Sequence, residues 1–241
     1  MQAVILAGGL GTRLGPLTAA IPKPMVPVAG VPYLAHQLEL LKRQSIRDVV
    51  LLTGYLGQIV EDYFGDGSRF GLRILYSREV TPLGTGGALR LAAPLLEDQF
   101  LVIYGDSYLP VDYQAVARSL DDSQAVGLVV VYNNRLADTS VGNNIAVDAE
   151  GFVVRYDKEA LNDATLDFVE AGVLAFRRSV ITLIPEGFVS LEKQIFGELI
   201  AARQLYSWRT SQRFYDIGTP ERLRAFEEYL AHDHHTDAFS H

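Results

Sequence analysis

The sequence predicts an α/β fold with a doubly wound, mostly parallel sheet. Its first half alternates short apolar runs of strand length with amphipathic stretches of helical period. The first apolar run, residues 3–7, stops at Gly8-Gly9, as a buried strand does when it enters a loop. This β-α-β-α order favours parallel strands that are joined by helices.

Each element of the first half has its own signal. Pro32 suits the first position of a helix, and leucines follow it at helical spacing. The turn residues Gly65-Asp66-Gly67 end the next helix, and Gly105 ends the last strand. The predicted strands are 3–7, 48–53, 72–77 and 100–104, and the predicted helices are 33–43, 56–64 and 86–96. Together they indicate a Rossmann-like sheet.

The second half has a different pattern, typical of antiparallel pairing. Residues 144–147 and 152–156 flank Asp148-Ala149-Glu150-Gly151, which favours a hairpin. Ser190 suits the N-cap of a helix over 190–201, and Thr219-Pro220-Glu221 opens a last helix. Further strands are predicted at 127–132 and 167–176. We expect one compact domain, 1–231, with halves 1–125 and 126–231, and a flexible tail, 232–241.

Composition excludes several classes of site. The 241 residues include 21 Lys+Arg, 29 Asp+Glu and no cysteine, so the formal net charge is −8. Disulfides, a thiolate nucleophile and Cys-ligated metals are therefore impossible, and a nucleic-acid partner is disfavoured. Only His36 of the five histidines lies outside the last ten residues, which argues against histidine acid–base chemistry.

Targeting signals are not predicted either. The first seven residues lack a basic region, and their apolar run is too short for a signal peptide. The longest apolar run, near 125–132, is far shorter than a membrane span. The sequence therefore predicts a cytoplasmic protein that has no membrane partner.

The first strand leads into a glycine-rich loop, Leu6-Ala7-Gly8-Gly9-Leu10-Gly11-Thr12-Arg13. Successive backbone N–H groups at such a place form an anion nest, and Arg13 adds a fixed fork for phosphate. The dinucleotide fingerprint fails because Leu14 replaces its third glycine, and no Gly-Lys pair supports a Walker A loop. A tight turn that needs glycine only for its backbone is the alternative.

Lys23 lies between two prolines, Pro22 and Pro24. The prolines fix the local backbone and remove two donors, so the ammonium group has a restricted range of directions. This arrangement suits a point charge that is aimed at a phosphate. An exposed lysine in a proline-rich loop is the alternative.

Five ordered segments resemble the sugar-1-phosphate nucleotidyltransferases, most closely the bacterial heptose- and mannose-1-phosphate guanylyltransferases. The resemblance covers residues 1 to about 230. The segments are Leu6-Ala7-Gly8-Gly9-Leu10-Gly11-Thr12-Arg13-Leu14, Pro22-Lys23-Pro24-Met25, Pro82-Leu83-Gly84-Thr85-Gly86-Gly87-Ala88, Tyr104-Gly105-Asp106-Ser107 and Tyr215-Asp216-Ile217-Gly218-Thr219-Pro220-Glu221.

The resemblance implies a reaction in which a sugar 1-phosphate and an NTP give an NDP-sugar and pyrophosphate. It implies that Asp106 and Asp216 bind Mg²⁺, that Arg13 stabilises the leaving phosphates, and that Lys23 orients a phosphate. The implied nucleotide-binding residues are Leu6, Ala7, Gly8, Gly9, Gly11, Thr12, Arg13, Leu83, Gly84, Thr85, Gly86 and Gly105. The attacking phosphate is already anionic, so a chain poor in histidine is no obstacle.

The resemblance also assigns a sugar-phosphate site in the second half. It implies that Asp157 contacts hydroxyls, that Lys158 contacts the phosphate, and that the missing side chain of Gly172 leaves room for the sugar. Glu170 replaces the asparagine of many members, and Asn144 is a further lining residue.

The base and the sugar are less defined. The segments favour GTP with a heptose or mannose 1-phosphate. A uridylyl-, thymidylyl- or cytidylyltransferase acting on N-acetylmuramate or glucose 1-phosphate is the alternative. A non-catalytic module that binds nucleotide sugars and a transferase with a non-sugar acceptor are others. No carboxyl-terminal β-helix follows, so one activity is expected, and the chain is a candidate for a homo-oligomer.

Overall fold

A computed structural model describes residues 1–9, 14, 18, 20–160 and 163–237. The strands are β1 (Gln2–Leu6), β2 (Pro27–Val28), β3 (Val31–Pro32), β4 (Asp48–Thr53), β5 (Arg73–Arg78), β6 (Gln99–Tyr104), β7 (Ser107–Tyr108), β8 (Gly127–Tyr132), β9 (Ile145–Val147), β10 (Val153–Tyr156), β11 (Val169–Arg177), β12 (Leu205–Thr210) and β13 (Tyr215–Asp216). The helices are α1 (Tyr33–Arg43), α2 (Gly57–Phe64), α3 (Gly84–Leu91), α4 (Tyr113–Ser123), α5 (Phe196–Ala201) and α6 (Pro220–Asp237).

The central sheet has the strand order β12-β8-β11-β6-β1-β4-β5. β1 pairs in parallel with β4 and β6, and β4 pairs in parallel with β5. The predicted parallel, doubly wound half is therefore confirmed. Because parallel strands end at the same edge of a sheet, the loops after these four strands meet there.

The antiparallel portion belongs to the same sheet. β11 runs antiparallel between β6 and β8, and β12 extends the sheet in parallel with β8. The predicted hairpin is confirmed as the pair β9–β10. The strand β11, buried along nearly all its length, joins the two halves within one layer.

Helices cover both faces of this sheet. On one face Leu34 and Leu38 of α1 and Leu120 of α4 are buried in the core. On the other face Leu89 of α3 and Phe196 of α5 are buried in a second core. None of the helices in the described ranges is both long and apolar enough to cross a membrane.

Three predicted boundaries differ from the structure. The helix predicted over 86–96 is α3 followed by a separate 3-10 turn at Ala93–Leu95, where Pro94 interrupts the helix. The helix predicted over 190–201 begins as a π turn, Leu191–Ile195, and Ser190 caps it as expected. α6 continues to Asp237, so the predicted tail begins inside a helix, and residues 238–241 lie outside the described residues.

Candidate active site

The carboxyl edge of the parallel strands surrounds a cavity of about 990 Å³. Most of the residues predicted to bind the nucleotide line it, together with the two charged residues of the predicted reaction centre. These predicted residues are Leu6, Ala7, Gly8, Gly9, Lys23, Gly84, Thr85, Gly105 and Asp106. Gly11, Thr12 and Arg13 lie outside the described residues.

Close backbone approach gives the cavity its floor. A Cβ atom on Gly105 would lie 2.4 Å from the carbonyl oxygen of Leu6, so only glycine fits there. The Gly105 N–H donates to that oxygen at 3.0 Å, and the Ala7 N–H donates to Leu52 at 2.8 Å. The predicted run of free N–H groups therefore does not include that of Ala7.

The backbone N–H groups of Leu83 and Gly86 donate hydrogen bonds to other groups of the protein. The Leu83 N–H donates to Oε2 of Glu79 at 2.9 Å, and the Gly86 N–H donates to the carbonyl oxygen of Val189 at 2.8 Å. Thr85 lines the cavity and donates its hydroxyl to Glu192. Of the four residues of this loop that were predicted to bind the nucleotide, Gly84 and Thr85 line the cavity, and Pro82 and Ala88 of the same segment line it too.

Lys23 is buried in a short 3-10 turn, Lys23–Met25, that begins after Pro22. Its Nζ donates to Oδ2 of Asp106 at 2.5 Å. A buried ammonium needs a compensating charge, and this carboxylate supplies it. The structure therefore brings together two residues that lie 83 positions apart in the sequence.

Asp106 and Asp216 meet where β7 pairs with β13. Asp216 lies opposite Ser107, and the N–H of Ile217 donates to the carbonyl oxygen of Asp106 at 3.0 Å. Asp216 itself accepts from the Gly218 N–H at 2.7 Å and from Arg222 at 2.9 Å. Burial raises the pKa of Asp216 in spite of Arg222, and the neighbouring Asp106 adds to this rise.

This pair of carboxylates fits a hard divalent cation. Both offer oxygen ligands, and their mutual repulsion is the kind of strain that a cation relieves. Across the described ranges no group of three or more His, Cys, Asp or Glu side chains is placed to hold a metal. A cation here would therefore have two protein carboxylates and would complete its shell with water or substrate, as Mg²⁺ commonly does.

A charged cluster lies beside this centre, formed by Lys158, Glu170 and Glu192 with the rings of Tyr104 and Tyr156. The Lys158 Nζ lies 3.2 Å from Oε2 of Glu170 and 5.6 Å from each ring centroid. Burial disfavours the ammonium, but Glu170 and Glu192 together raise the pKa of Lys158 above its ordinary value. Lys158 is therefore held charged.

Glu170 is nearly inaccessible to solvent. Its Oε2 accepts from the Tyr156 hydroxyl at 2.7 Å, whereas its Oε1 is buried with no hydrogen-bond partner. Buried carboxylate oxygens are normally paired. Oε1 of Glu170 is thus an acceptor for which the described residues provide no donor.

Glu192 belongs to no motif in the sequence, but it has three hydrogen-bond donors in the fold. Its carboxylate accepts from Thr85 at 2.9 Å, from Ser190 at 2.6 Å and from the Tyr104 hydroxyl. Burial opposes ionisation of Glu192, but Lys158, Ser190 and Tyr104 together lower its pKa. It links Thr85 to the charged cluster, and only the fold reveals this link because Thr85 and Tyr104 lie 107 and 88 positions from Glu192 in the sequence.

Two predicted sugar-site residues have structural partners instead. A Cβ on Gly172 would lie 2.3 Å from the Cβ of Ser107, and the φ angle of Gly172 is +77°. Ser107 thus occupies the space that a side chain on Gly172 would need, and the expectation that Gly172 leaves room for the sugar stays a prediction. The side chain of Asn144 accepts from the N–H of Glu170 at 2.9 Å, so Asn144 positions the strand that carries Glu170.

Asp157 lies at the end of β10, where protein groups occupy both of its carboxylate oxygens. Oδ2 accepts from Arg155 at 3.0 Å, and Oδ1 accepts from the N–H groups of Glu159 and Ala160, each at 3.0 Å. The arrangement is that of a turn closed by an aspartate. It differs from the hydroxyl contact that the resemblance implied.

Glu79 is a second residue that the sequence analysis missed. It follows β5 and lines the cavity, with Oε2 held by the Leu83 N–H. A Cβ on Gly54 would lie 2.8 Å from its Oε1, and a Cβ on Gly8 would lie 3.1 Å from it. Burial raises the pKa of Glu79. The carboxylate is therefore fixed and partly desolvated against two glycines at the nucleotide end of the cavity.

The sequence profile of the Nucleotidyl transferase family matches residues 2–232. The chain belongs to this family. The family that the five segments predicted is thereby confirmed, and the fold agrees with it. Members of this family generally use a divalent metal.

Several relatives of this nucleotidyl transferase have specific names. The mannose-1-phosphate guanylyltransferase of Mycobacterium tuberculosis is 38% identical over 229 residues, which are 92% of this chain and 62% of that protein. The D-glycero-alpha-D-manno-heptose 1-phosphate guanylyltransferase of Campylobacter jejuni is 29% identical, covering 92% of this chain and 96% of the relative. HddC from Yersinia pseudotuberculosis, solved in complex with GMP-PN, is 26% identical with a TM-score of 0.81, covering 95% of this chain and 99% of HddC.

Proposed function

We propose that this protein transfers a guanylyl group from GTP to mannose 1-phosphate or to a heptose 1-phosphate. The observation that carries the proposal is the meeting of Lys23, Asp106 and Asp216 between the glycine-lined cavity and the charged cluster. The cavity has the size of a nucleotide site. The guanylyltransferase names of the relatives support the base and the sugar.

In the proposed reaction a phosphate oxygen of the sugar 1-phosphate attacks the α-phosphorus of GTP. The new O–P bond forms as the bond from the α-phosphorus to the pyrophosphate oxygen breaks, and the electron pair leaves with pyrophosphate. No proton needs to move, so the requirement is the placement of charge. Lys158 binds the attacking phosphate, and Lys23 faces the α-phosphate. Arg13, from the glycine-rich loop, remains our candidate for the leaving phosphates.

Asp106 and Asp216 would hold Mg²⁺, which when bound neutralises crowded phosphate charge. The two carboxylates are held ready for this role by their own partners, Lys23 and Arg222. We also place the reaction in the cytoplasm, because nucleoside triphosphates are made there.

Glu79 supports GTP over UTP. Ionised glutamate only accepts hydrogen bonds, and guanine presents two adjacent donors, N1–H and the N2 amino group. Uracil presents one N–H between two carbonyl oxygens, which a carboxylate repels. The Leu83 N–H holds one oxygen of Glu79, and the other lies against Gly8 and Gly54, which also line the cavity.

The test is pyrophosphate release from a panel of NTPs combined with a panel of sugar 1-phosphates. We expect GTP with mannose or heptose 1-phosphate to give the highest kcat/KM. Glu79→Gln should reduce the ratio of GTP to UTP turnover about tenfold, since hydrogen bonds to charged groups contribute about 1.5–3 kcal/mol. The control is Glu39→Gln on the exposed surface of α1, which should leave the ratio unchanged. Absence of pyrophosphate with every pair would overturn the proposal.

A further inference from the structure

Phe188 is an exposed aromatic residue at the wall of the nucleotide cavity. Its side chain is 68% exposed, yet it lines the same cavity as Glu79 and Gly84. Val80, which is 99% exposed, lines that cavity too. Large apolar groups that are exposed together beside a cavity are typical of a surface that a ligand covers.

The backbone around Phe188 is firmly attached. We call residues 187–189 the strap. The N–H of Val189 donates to Leu83 at 2.8 Å, and its carbonyl oxygen accepts from Gly86 at 2.8 Å and Gly87 at 3.3 Å. The Val189 side chain is itself buried. Phe188 thus lies next to an anchored residue and remains exposed.

Gly84 and Gly87 lie so close to the strap that a side chain at either position would collide with it. A Cβ on Gly84 would lie 2.5 Å from the Val189 oxygen, and a Cβ on Gly87 would lie 2.4 Å from the Gly187 oxygen. The same Cβ on Gly84 would lie 3.4 Å from Cε2 of Phe188, so the ring is seated beside Gly84. These glycines therefore bring an aromatic ring from the second half of the chain to the nucleotide loop.

From this geometry we infer that Phe188 stacks on the base of the bound nucleoside triphosphate. The inference rests on the proposed function, because it assumes that the cavity binds the nucleotide. A flat aromatic ring stacks on any base, since every base has a π face. Phe188 therefore contributes affinity without regard to the base, whereas Glu79 reads the base edge.

The experiment measures KM for GTP and for UTP in Phe188→Ala, Phe188→Leu, Phe188→Trp and wild type. Base stacking on an aromatic side chain is worth a factor of about ten. We expect Phe188→Ala and Phe188→Leu to raise both KM values about tenfold with kcat nearly unchanged, and Phe188→Trp to retain low values. The control is Leu136→Ala, a similarly exposed apolar residue outside the cavity, which should behave as wild type.

Unchanged KM values in Phe188→Ala, or full retention by Phe188→Leu, would overturn stacking, since leucine keeps apolar area without a ring. Thermal melts check that each variant is folded. Quenching of the introduced tryptophan in Phe188→Trp by added GTP measures binding without turnover. Quenching without pyrophosphate release from any substrate pair would reject the proposed function and keep the stacking, so the two failures are distinguishable.

Discussion

The two sides of the candidate active site are built by different means. On the nucleotide side Gly8, Gly54 and Gly105 let chain segments and one carboxylate approach closely. On the sugar side Lys158, Glu170 and Glu192 crowd into one charged cluster with two tyrosines. The nucleotide side depends on glycines, which lack side chains, and the sugar side depends on charged side chains.

This difference determines what substitutions can reveal. Added atoms should damage a glycine-built wall, because there is no space for them. A changed charge should damage the cluster, because each charged group there is partly desolvated and depends on its neighbours. Substitutions can test this contrast, first at Asp106, where the two sides meet.

The largest effect is expected for Asp106→Asn, at the boundary of the two sides. The change keeps the shape but removes the charge that pairs with Lys23 and that would help to hold a cation. We expect kcat/KM for pyrophosphate release to fall about 10³-fold, the size seen when a preorganised charge-stabilising group is removed. Asp122→Asn, with the same charge change on the exposed surface of α4, is the matched control. Activity equal to wild type would remove Asp106 from the reaction centre.

Next in size is Gly172→Ala, which adds one methyl group behind the charged cluster. At φ +77° the new Cβ would lie 2.3 Å from the Cβ of Ser107. Left-handed backbone and overpacking together should lower the free energy of unfolding by about 3 kcal/mol. Urea denaturation measures it, with Gly142→Ala as a control where no atom lies within 4 Å of the new Cβ. Unchanged stability with a raised KM for the sugar phosphate would support the view that Gly172 leaves room for the sugar.

The contrast between the two sides also explains which features of the site could be predicted from the sequence. Strand ends and glycine motifs are local patterns, so the parallel sheet could be predicted from them, whereas the site roles of Lys23, Asp106 and Asp216 were expected from the resemblance of ordered segments to a family. Glu79 and Glu192 belong to no local motif. Their positions in the site depend on hydrogen bonds from the Leu83 N–H and the Thr85 hydroxyl, which only the fold brings to them. The contact between the strap and the loop of Leu83, Gly86 and Gly87 could not be predicted for the same reason, because only the fold brings them together.

Glycine itself was the hardest residue to interpret from sequence. Gly105 and Gly172 both lie in sequence motifs, but a motif does not show which atoms occupy the space where a side chain would be. In the fold the backbone of Leu6 fills one place and Ser107 fills the other. A motif therefore predicts that space is needed, and the tertiary structure decides whether a ligand or the protein uses it.

A smaller effect is expected for Glu192→Ala. The change removes the acceptor shared by Thr85, Ser190 and Tyr104, and it loosens the link between the two sides. We expect KM for both substrates to rise, and kcat/KM to fall about tenfold in total, the cost of unpairing buried hydroxyls. Glu192→Gln, which keeps one acceptor oxygen but removes the charge, should recover only part of the loss. Glu198→Ala on the exposed surface of α5 is the control.

An unchanged KM for the nucleotide in Glu192→Ala would contradict its role as a positioning residue that joins the two sides. Melting temperatures separate this role from a general loss of stability, since positioning should alter KM in a protein that melts near the wild-type temperature.

The smallest effect is expected for Asp157→Asn, which tests the limit of the charged cluster. Its carboxylate is already used by Arg155 and by two backbone N–H groups, so KM for the sugar 1-phosphate should change less than about threefold, as for an exposed ion pair. The hydrogen bond from Arg155 lowers the pKa of Asp157. The ionised form therefore adds stability above the ordinary pKa of an aspartate, and that stability is lost as the pH falls through the lowered value.

Melting curves should accordingly show Asp157→Asn slightly less stable than wild type at pH 7, with the difference vanishing as the pH falls through the lowered pKa of Asp157. Lys158→Ala is the comparison for KM, because its ammonium contacts Glu170 and is held charged beside the reaction centre. If Asp157→Asn raised KM for the sugar 1-phosphate as much as Lys158→Ala does, Asp157 would contact substrate, and the charged cluster would extend to the end of β10. A change confined to stability would instead place the edge of the sugar site between two adjacent residues, one of which binds while the other closes a turn.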